Sequence, residues 1–189
     1  MSTVLWALLL AAPPAVGDLW PCTPDLAITY RVERDGKDSG VRITETVKGQ
    51  GAMGLCRVEQ VTLHPGGKTE TESFVYEHLP DRVAYAGYAD APTAFRPPLL
   101  KAPLEAGKQW TFHKVVYRVE AAGETIKTPA GTFPGCVRVS EAALAPGGRR
   151  AEATYAPGVG PVLRVTPGQR WVALEVRRPE AKASARTKR

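Results

Sequence analysis

The sequence predicts an all-β protein, an antiparallel meander that forms a strongly curved sheet or a partial barrel. Apolar and polar residues alternate with a period of two through most of the chain after residue 17, and helical periodicity is nearly absent there. Proline-glycine pairs, whose backbone preferences suit type II turns, separate the alternating segments. They stand at Pro65-Gly66, Pro146-Gly147, Pro157-Gly158 and Pro167-Gly168. Short strands joined by such turns are typical of a meander.

Alternating segments place the strands along a single predicted domain, residues 18–176. Residues 91–107 hold four prolines, which removes them from any central strand, and they are expected to form an irregular crossover between two halves of one sheet. The predicted strands before the crossover are 28–32, 41–47, 55–63, 71–76 and 82–88, and those after it are 109–119, 124–128, 136–140, 151–155, 162–165 and 171–176.

The first seventeen residues resemble a signal peptide. Nine consecutive apolar residues, 4–12, are too few to span a bilayer, which takes about 20 residues of helix. Pro13-Pro14 ends any helix, and Ala15 and Gly17 offer small residues at the −3 and −1 positions of a cleavage site. The mature chain is expected to begin at Asp18, to carry no transmembrane segment, and to be periplasmic or secreted. The alternative is that the apolar run is a strand or buried helix of the domain.

Export changes the interpretation of the three cysteines. In an oxidising compartment they can pair, but an odd number leaves at least one over. The expected disulfide joins Cys22 to Cys56 and would stabilise the fold by roughly 4 kcal/mol on the chain-entropy model. Cys136 lies in an alternating segment and is expected to be a buried, small apolar residue. Residues 19–21 (LWP) do not fit the pattern before a lipid-modified cysteine, so no anchor is expected at Cys22.

The net charge of +6 is concentrated at the end of the chain. Residues 177–189 hold six basic residues and one acid, a charge of +5 that leaves +1 for everything before them. A nucleic-acid-binding domain would carry its excess charge on its folded face, so no nucleic-acid partner is expected. The segment 177–189 is predicted to be a disordered basic tail.

Three motifs follow one another in the second half of the chain. They are G-x-x-W at 107–110, TPAGTF at 128–133 followed by Cys136, and YAPGVGPV at 155–162. Over residues 107–165 the sequence resembles a broad group of uncharacterised bacterial envelope proteins and lipoproteins. The resemblance implies a curved antiparallel sheet and export, and it implies no established activity.

The residues of these motifs also have a structural explanation. Pro129 and Gly131 suit the second and fourth positions of a type I turn, after which Phe133 would enter the core. Pro157 and Gly158 suit the next turn. Gly160 would permit a bulge or a close approach of the backbone.

The sequence contains no recognisable constellation of catalytic, metal-binding or cofactor-binding residues, so none is assigned and the protein is not expected to be an enzyme. His64, His78 and His113 lie far apart, without the spacing of a zinc site. The string G-x-G-x-x-G at 49–54 opens into an alternating segment rather than a helix, which excludes a dinucleotide-binding interpretation. The spatial arrangement of the acidic residues, on which glycoside hydrolysis would depend, is not fixed by the sequence.

Three functions remain. The first is an exported, non-enzymatic envelope protein that holds a lipid or other hydrophobic small molecule on its curved sheet. The second is a module that binds another envelope protein through a sheet edge or the basic tail. The third is a hydrolase with a dispersed site. A deep apolar pocket would favour the first function, and a filled core would favour the second.

Overall fold

The computed structural model describes residues 14–145, 148 and 150–179, and it is built almost wholly from β-strands. The apolar run 4–12, the Pro146-Gly147 pair and residues 180–189 of the basic tail lie outside the described residues. The strands are β1 (Ala27–Arg34), β2 (Lys37–Gln50), β3 (Cys56–Leu63), β4 (Thr69–Leu79), β5 (Arg82–Tyr88), β6 (Pro98–Lys101), β7 (Gln109–Phe112), β8 (Val115–Thr128), β9 (Gly131–Ala143), β10 (Arg150–Ala156), β11 (Gly160–Thr166) and β12 (Gln169–Arg177). A one-turn helix, α1 (Val16–Leu19), precedes them, and a 3₁₀ turn covers Ala52–Gly54.

All twelve strands belong to one antiparallel sheet, in the order β6-β5-β4-β3-β2-β1-β12-β11-β10-β9-β8-β7. Each strand pairs with its sequence neighbours, except that β6 and β7 do not pair with each other, and β1 also pairs with β12, which joins the two halves of the meander. The middle of the chain therefore forms both edges, β6 and β7. There the Trp110 Nε1–H donates a hydrogen bond of 2.9 Å to the Pro98 carbonyl. The sheet is thus curved until it nearly closes into a barrel, which confirms the predicted fold class.

Two segments depart from the strands expected from the sequence. The predicted strand 109–119 is divided, because His113 takes a left-handed φ of 52° in the turn between β7 and β8. Beyond that turn, β8 is longer than expected and includes residues 124–128, which were predicted to form a separate strand. Three register shifts interrupt its pairing with β9. The predicted crossover 91–107 contains the short strand β6, whose position at a sheet edge suits its proline.

The interior of the curved sheet is filled by two clusters of buried side chains. The first includes Trp20 and Tyr76, and the second includes Tyr30 and Phe133. The segment before β1 contributes to the first cluster, since Val16 and Leu19 are buried and α1 packs against β5 and β11. Val16 precedes the expected mature start at Asp18, so cleavage after Gly17 would remove one buried side chain; the cleavage site itself stays a prediction.

A disulfide attaches this N-terminal segment to the sheet. It joins Cys22 to Cys56, the first residue of β3, over a sequence separation of 34 residues. Cys136 remains a free thiol, fully buried in β9, as the sequence suggests for a small apolar residue. Burial raises the pKa of the Cys136 thiol to about 11, which keeps it protonated.

Candidate functional site

The inner face of the curved sheet contains a cavity of about 310 Å³, which we call the aromatic cavity. It lies between the N-terminal segment and strands from both halves of the meander. Its aromatic lining residues are Trp20, Tyr76, Tyr85, Tyr117 and Tyr155, and its other lining residues include Pro97, Leu99, Val139, Glu141, Ala151, Ala153, Arg164 and Thr166. A second cavity of about 310 Å³ shares Pro97, Tyr117 and Glu141 with the first, so the two are adjacent.

Strand register brings the aromatic rings together. Tyr76 on β4 stands opposite Tyr85 on β5, with ring centroids 5.8 Å apart. Trp20 reaches in from the N-terminal segment and lies 4.6 Å from the Tyr76 ring and 5.7 Å from the Tyr155 ring. On β10, alternation directs Ala151, Ala153 and Tyr155 to the same inner face. The aromatic wall therefore depends on both halves of the sheet and on the segment before β1.

The tyrosine hydroxyls of the aromatic cavity are free to bind a ligand. Burial raises the pKa of Tyr117 to about 12 and also raises the pKa values of Tyr76 and Tyr155, so all three remain neutral at physiological pH. Within the described part of the chain, none of the three hydroxyls has a hydrogen-bond partner. Each can donate or accept one hydrogen bond in the cavity.

Arg164, on β11, lies at the floor of the aromatic cavity in an ion pair with Glu45 of β2. Two parallel contacts of 2.9 Å and 3.0 Å join the guanidinium nitrogens to the carboxylate oxygens. The side chains are 21% and 7% exposed, respectively. The guanidinium carbon also lies 5.7 Å from the Trp20 and Tyr30 ring centroids and 5.3 Å from that of Trp171. The charge of Arg164 is thus balanced inside the protein.

Glu141, on β9, also lines the aromatic cavity and has no such partner among the described residues. In the sheet register it stands between Tyr117 of β8 and Ala151 of β10, at the junction of the two cavities. Burial raises its pKa, and within the described ranges neither a hydrogen-bond donor nor a neighbouring cation opposes this rise. The adjacent Ser140 differs, since its hydroxyl lies 2.6 Å from a carboxylate oxygen of Glu120. Glu141 is therefore a half-buried carboxyl whose charge no described residue balances.

Sequence reasoning missed Glu141, although the signal was present. Val137 and Val139 mark the inward positions of β9, and the period of two places Glu141 on the same face. A carboxyl at an inward position is costly to bury without a partner, which makes such positions informative.

Replacing Glu141 by glutamine is expected to stabilise the fold at neutral pH. A carboxyl with a raised pKa in the folded state costs stability once it ionises, so the cost appears as pH rises through the interval between its unfolded and folded pKa values. We expect Glu141→Gln to raise the free energy of unfolding by about 1 kcal/mol at pH 7.5, which corresponds to a rise of about 2–4 °C in Tm. Below about pH 4 we expect no difference in stability, because both side chains are then neutral. Thermal unfolding followed by circular dichroism checks this, with the exposed Glu175→Gln as the control. Destabilisation at neutral pH would show that the carboxylate is held by a partner.

The residues predicted to form turns lie away from the cavity. Pro129 is the first residue of the two-residue turn between β8 and β9, in which Thr128 pairs with Gly131. Phe133 follows this turn and is buried in the second cluster. Gly158 has a φ of 71° in the turn between β10 and β11, and its N–H donates a hydrogen bond of 2.7 Å to the Asp18 carbonyl.

Pro157 and Gly160 flank that turn. Gly160 has a left-handed φ of 114° beside a register shift in the β10–β11 ladder, and a Cβ at this position would make only an ordinary van der Waals contact with Ile28 Cδ1, at 3.6 Å. These glycines are therefore placed where backbone geometry requires them.

The three histidines are not brought together. His64 lies 3.3 Å from Glu70, His78 is partly buried, and His113 forms the β7–β8 turn. Across the described ranges, no group of three or more histidine, cysteine or acidic side chains is arranged to hold a metal ion. The helices in this part of the chain are all too short or too polar to cross a membrane.

Comparison with known proteins identifies the fold. No protein-family model matches the sequence, and no curated protein matches it. Two crystal structures are similar with a TM-score of 0.56. One is a candidate exported protein with a YmcC-like fold from Bacteroides fragilis, 15% identical, and the alignment covers 82% of this chain and 97% of that one. The other is a candidate lipoprotein from Parabacteroides distasonis, 13% identical, with 84% and 98% covered. The chain therefore has the fold of these two proteins, the first of which is described as YmcC-like.

Proposed function

We propose that this chain is an exported, non-enzymatic envelope protein that holds a hydrophobic or amphipathic small molecule, such as a lipid, in the aromatic cavity. The observation that carries the proposal is the cavity itself, about 310 Å³ of space walled by Trp20 and four tyrosines on the inner side of the curved sheet. Small-molecule sites are commonly concave, about 300–1,000 Å³ in volume, and lined by aromatic and apolar groups with a few polar atoms.

Location in the periplasm or outside the cell is part of the proposal. It is supported by the signal-like residues 1–17 and by the Cys22–Cys56 disulfide, because such bonds persist in oxidising compartments. The two structures of the same fold come from a candidate exported protein and a candidate lipoprotein, which agrees with this location.

The non-enzymatic part of the proposal is supported by how the carboxyls near the cavity are engaged. Glycoside hydrolysis needs two carboxyls facing one bond. Glu45 is bound by Arg164, and Glu152 lies 3.6 Å from Arg138. Glu141 is left without a second free carboxyl beside it. Turnover of any ester, glycoside or peptide in a generic substrate screen would contradict the proposal.

Filling the aromatic cavity is expected to abolish ligand binding. Ala151 lines the cavity, and Ala151→Trp would place an indole in the space that a ligand needs. We expect the purified protein to increase the fluorescence of the neutral dye N-phenyl-1-naphthylamine, and we expect this variant to lose at least about tenfold in affinity, equivalent to about 1.4 kcal/mol.

The matched control is Ala122→Trp, which adds the same indole at an exposed position of β8 and should bind as the wild type does. Circular dichroism confirms that both variants fold. Equal dye binding by the two variants, or no binding by the wild type, would contradict the proposed site.

A further inference from the structure

We propose that the molecule held in the aromatic cavity carries an ammonium group, which pairs with the Glu141 carboxylate among the surrounding aromatic rings. This inference rests on the proposed function and names the chemical class of the ligand.

The charges of the cavity lining favour a cation. Arg164 is balanced by Glu45, at 2.9 Å and 3.0 Å. Glu152, which also lines the cavity, is paired with Arg138 at 3.6 Å. Glu141 alone contributes a charge that no described residue opposes. A ligand cation placed at this carboxylate would supply the partner that no described residue provides, and a charge-assisted contact is stronger than a neutral one.

The aromatic lining favours an ammonium group over other cations. The π faces of tryptophan and tyrosine attract ammonium groups, and quaternary ammonium ligands are commonly recognised by cages of such rings. The same interior already holds one cation in this way, since the Arg164 guanidinium lies 5.7 Å from the Trp20 ring and 5.3 Å from the Trp171 ring. Trp20 faces the aromatic cavity as well, so the wall that stabilises the arginine is also available to a ligand.

The position of Glu141 also provides for the hydrophobic part of the ligand. Beyond Glu141 and Tyr117, the second cavity is walled mainly by apolar groups, and its lining includes Phe95, Phe112, Val115 and the imidazole of His113. An amphiphile with its ammonium group at Glu141 would have apolar walls on both sides for a hydrocarbon chain.

An anionic ligand fits the same site less well. Arg164, the one cation among the described residues that line the aromatic cavity, already donates two hydrogen bonds to the Glu45 carboxylate in a largely buried setting. An anion would have to displace that carboxylate and leave it unpaired, and it would also face the charge of Glu141.

Isothermal titration calorimetry at pH 8, below the critical micelle concentrations, tests the inference. The ligands share one decyl chain and differ in head group: decyltrimethylammonium, the uncharged decyldimethylamine N-oxide, and decyl sulfate. Choline provides the head group without the chain. We expect decyltrimethylammonium to bind at least about tenfold more tightly than the other two decyl compounds, as a contact to a charged group implies. Glu141→Gln should lose this preference and retain binding of the N-oxide, whereas the exposed Glu175→Gln should behave as the wild type does.

Each outcome separates the inference from the proposed function. Equal affinity for the three decyl compounds, or a preference for the sulfate, overturns the ammonium inference while the hydrophobic site stands. Retention of the preference in Glu141→Gln also overturns it. Binding of choline as tightly as decyltrimethylammonium supports the ammonium inference but contradicts the hydrophobic part of the proposed function. Failure of all four ligands to bind overturns both.

Discussion

Replacing Arg164 by methionine is expected to lower the free energy of unfolding by about 3 kcal/mol, because it leaves the Glu45 carboxylate in the interior without a cation, held among the described residues only by the Tyr30 hydroxyl at 3.3 Å. Removing one partner of a buried ion pair costs about 3–5 kcal/mol, and the partial exposure of Arg164, at 21%, places this pair near the lower limit. The substitution also removes the cation from between the Trp20 and Tyr30 rings, 5.7 Å from each. The interior would then hold the Glu45 charge without the cation that balances it.

The decisive comparison is with the double variant Glu45→Met/Arg164→Met. Replacing both partners of a buried ion pair by apolar side chains is often nearly neutral, so the double variant should recover most of the stability that the single variant loses. Urea unfolding followed by circular dichroism measures both. Equal losses in the single and double variants would show that packing of the arginine, rather than the stranded carboxylate, carries the effect.

Removing the Cys22–Cys56 disulfide is expected to cost about 4 kcal/mol on the chain-entropy model, the largest single effect that we predict. The bond closes a loop over 34 residues and fixes the segment that carries Val16, Leu19 and Trp20 into the interior. Because Trp20 lines the aromatic cavity, the Cys22→Ser/Cys56→Ser variant should also bind N-phenyl-1-naphthylamine more weakly.

Dithiothreitol provides the internal control for this prediction. It should lower the urea midpoint of the wild type towards that of the double serine variant and leave that variant unchanged. Cys136→Ala, which retains both bonded cysteines, should remain sensitive to the reductant. A wild-type midpoint that is the same with and without dithiothreitol would contradict the prediction.

Local patterns were sufficient for the fold class but not for every strand. Period-two alternation follows directly from the geometry of a strand, so the segments around Tyr30 and Ile43 could be recognised from the sequence. The turn at His113 could not, because a histidine with a left-handed φ carries no glycine or proline signal. The pairing of β1 with β12 joins residues that are distant in sequence and is likewise invisible to a local pattern.

Only part of the candidate site could be predicted from the sequence, because some of its residues are brought together by contacts between distant segments. Glu45 and Glu141 both occupy inward positions of alternating strands, so their locations were encoded locally. Arg164 stands between Leu163 and Val165, two apolar residues, and its orientation is therefore ambiguous until the sheet is assembled. Trp20 comes from an irregular segment whose position depends on the disulfide and on packing against distant strands. The cavity consequently emerges from tertiary structure.

The nearly closed sheet has a gap between its two edge strands, β6 and β7. In the described part of the chain, no ladder of backbone hydrogen bonds joins these two strands. Separating these two edges would break few backbone hydrogen bonds, whereas separating any other pair of strands would break a whole ladder. Pro97 and Leu99 line the aromatic cavity on one side of this gap, and Tyr117 lines it on the other. A small outward swing of either edge would therefore enlarge the cavity and open a lateral portal, through which a long hydrocarbon chain could enter without unfolding the barrel.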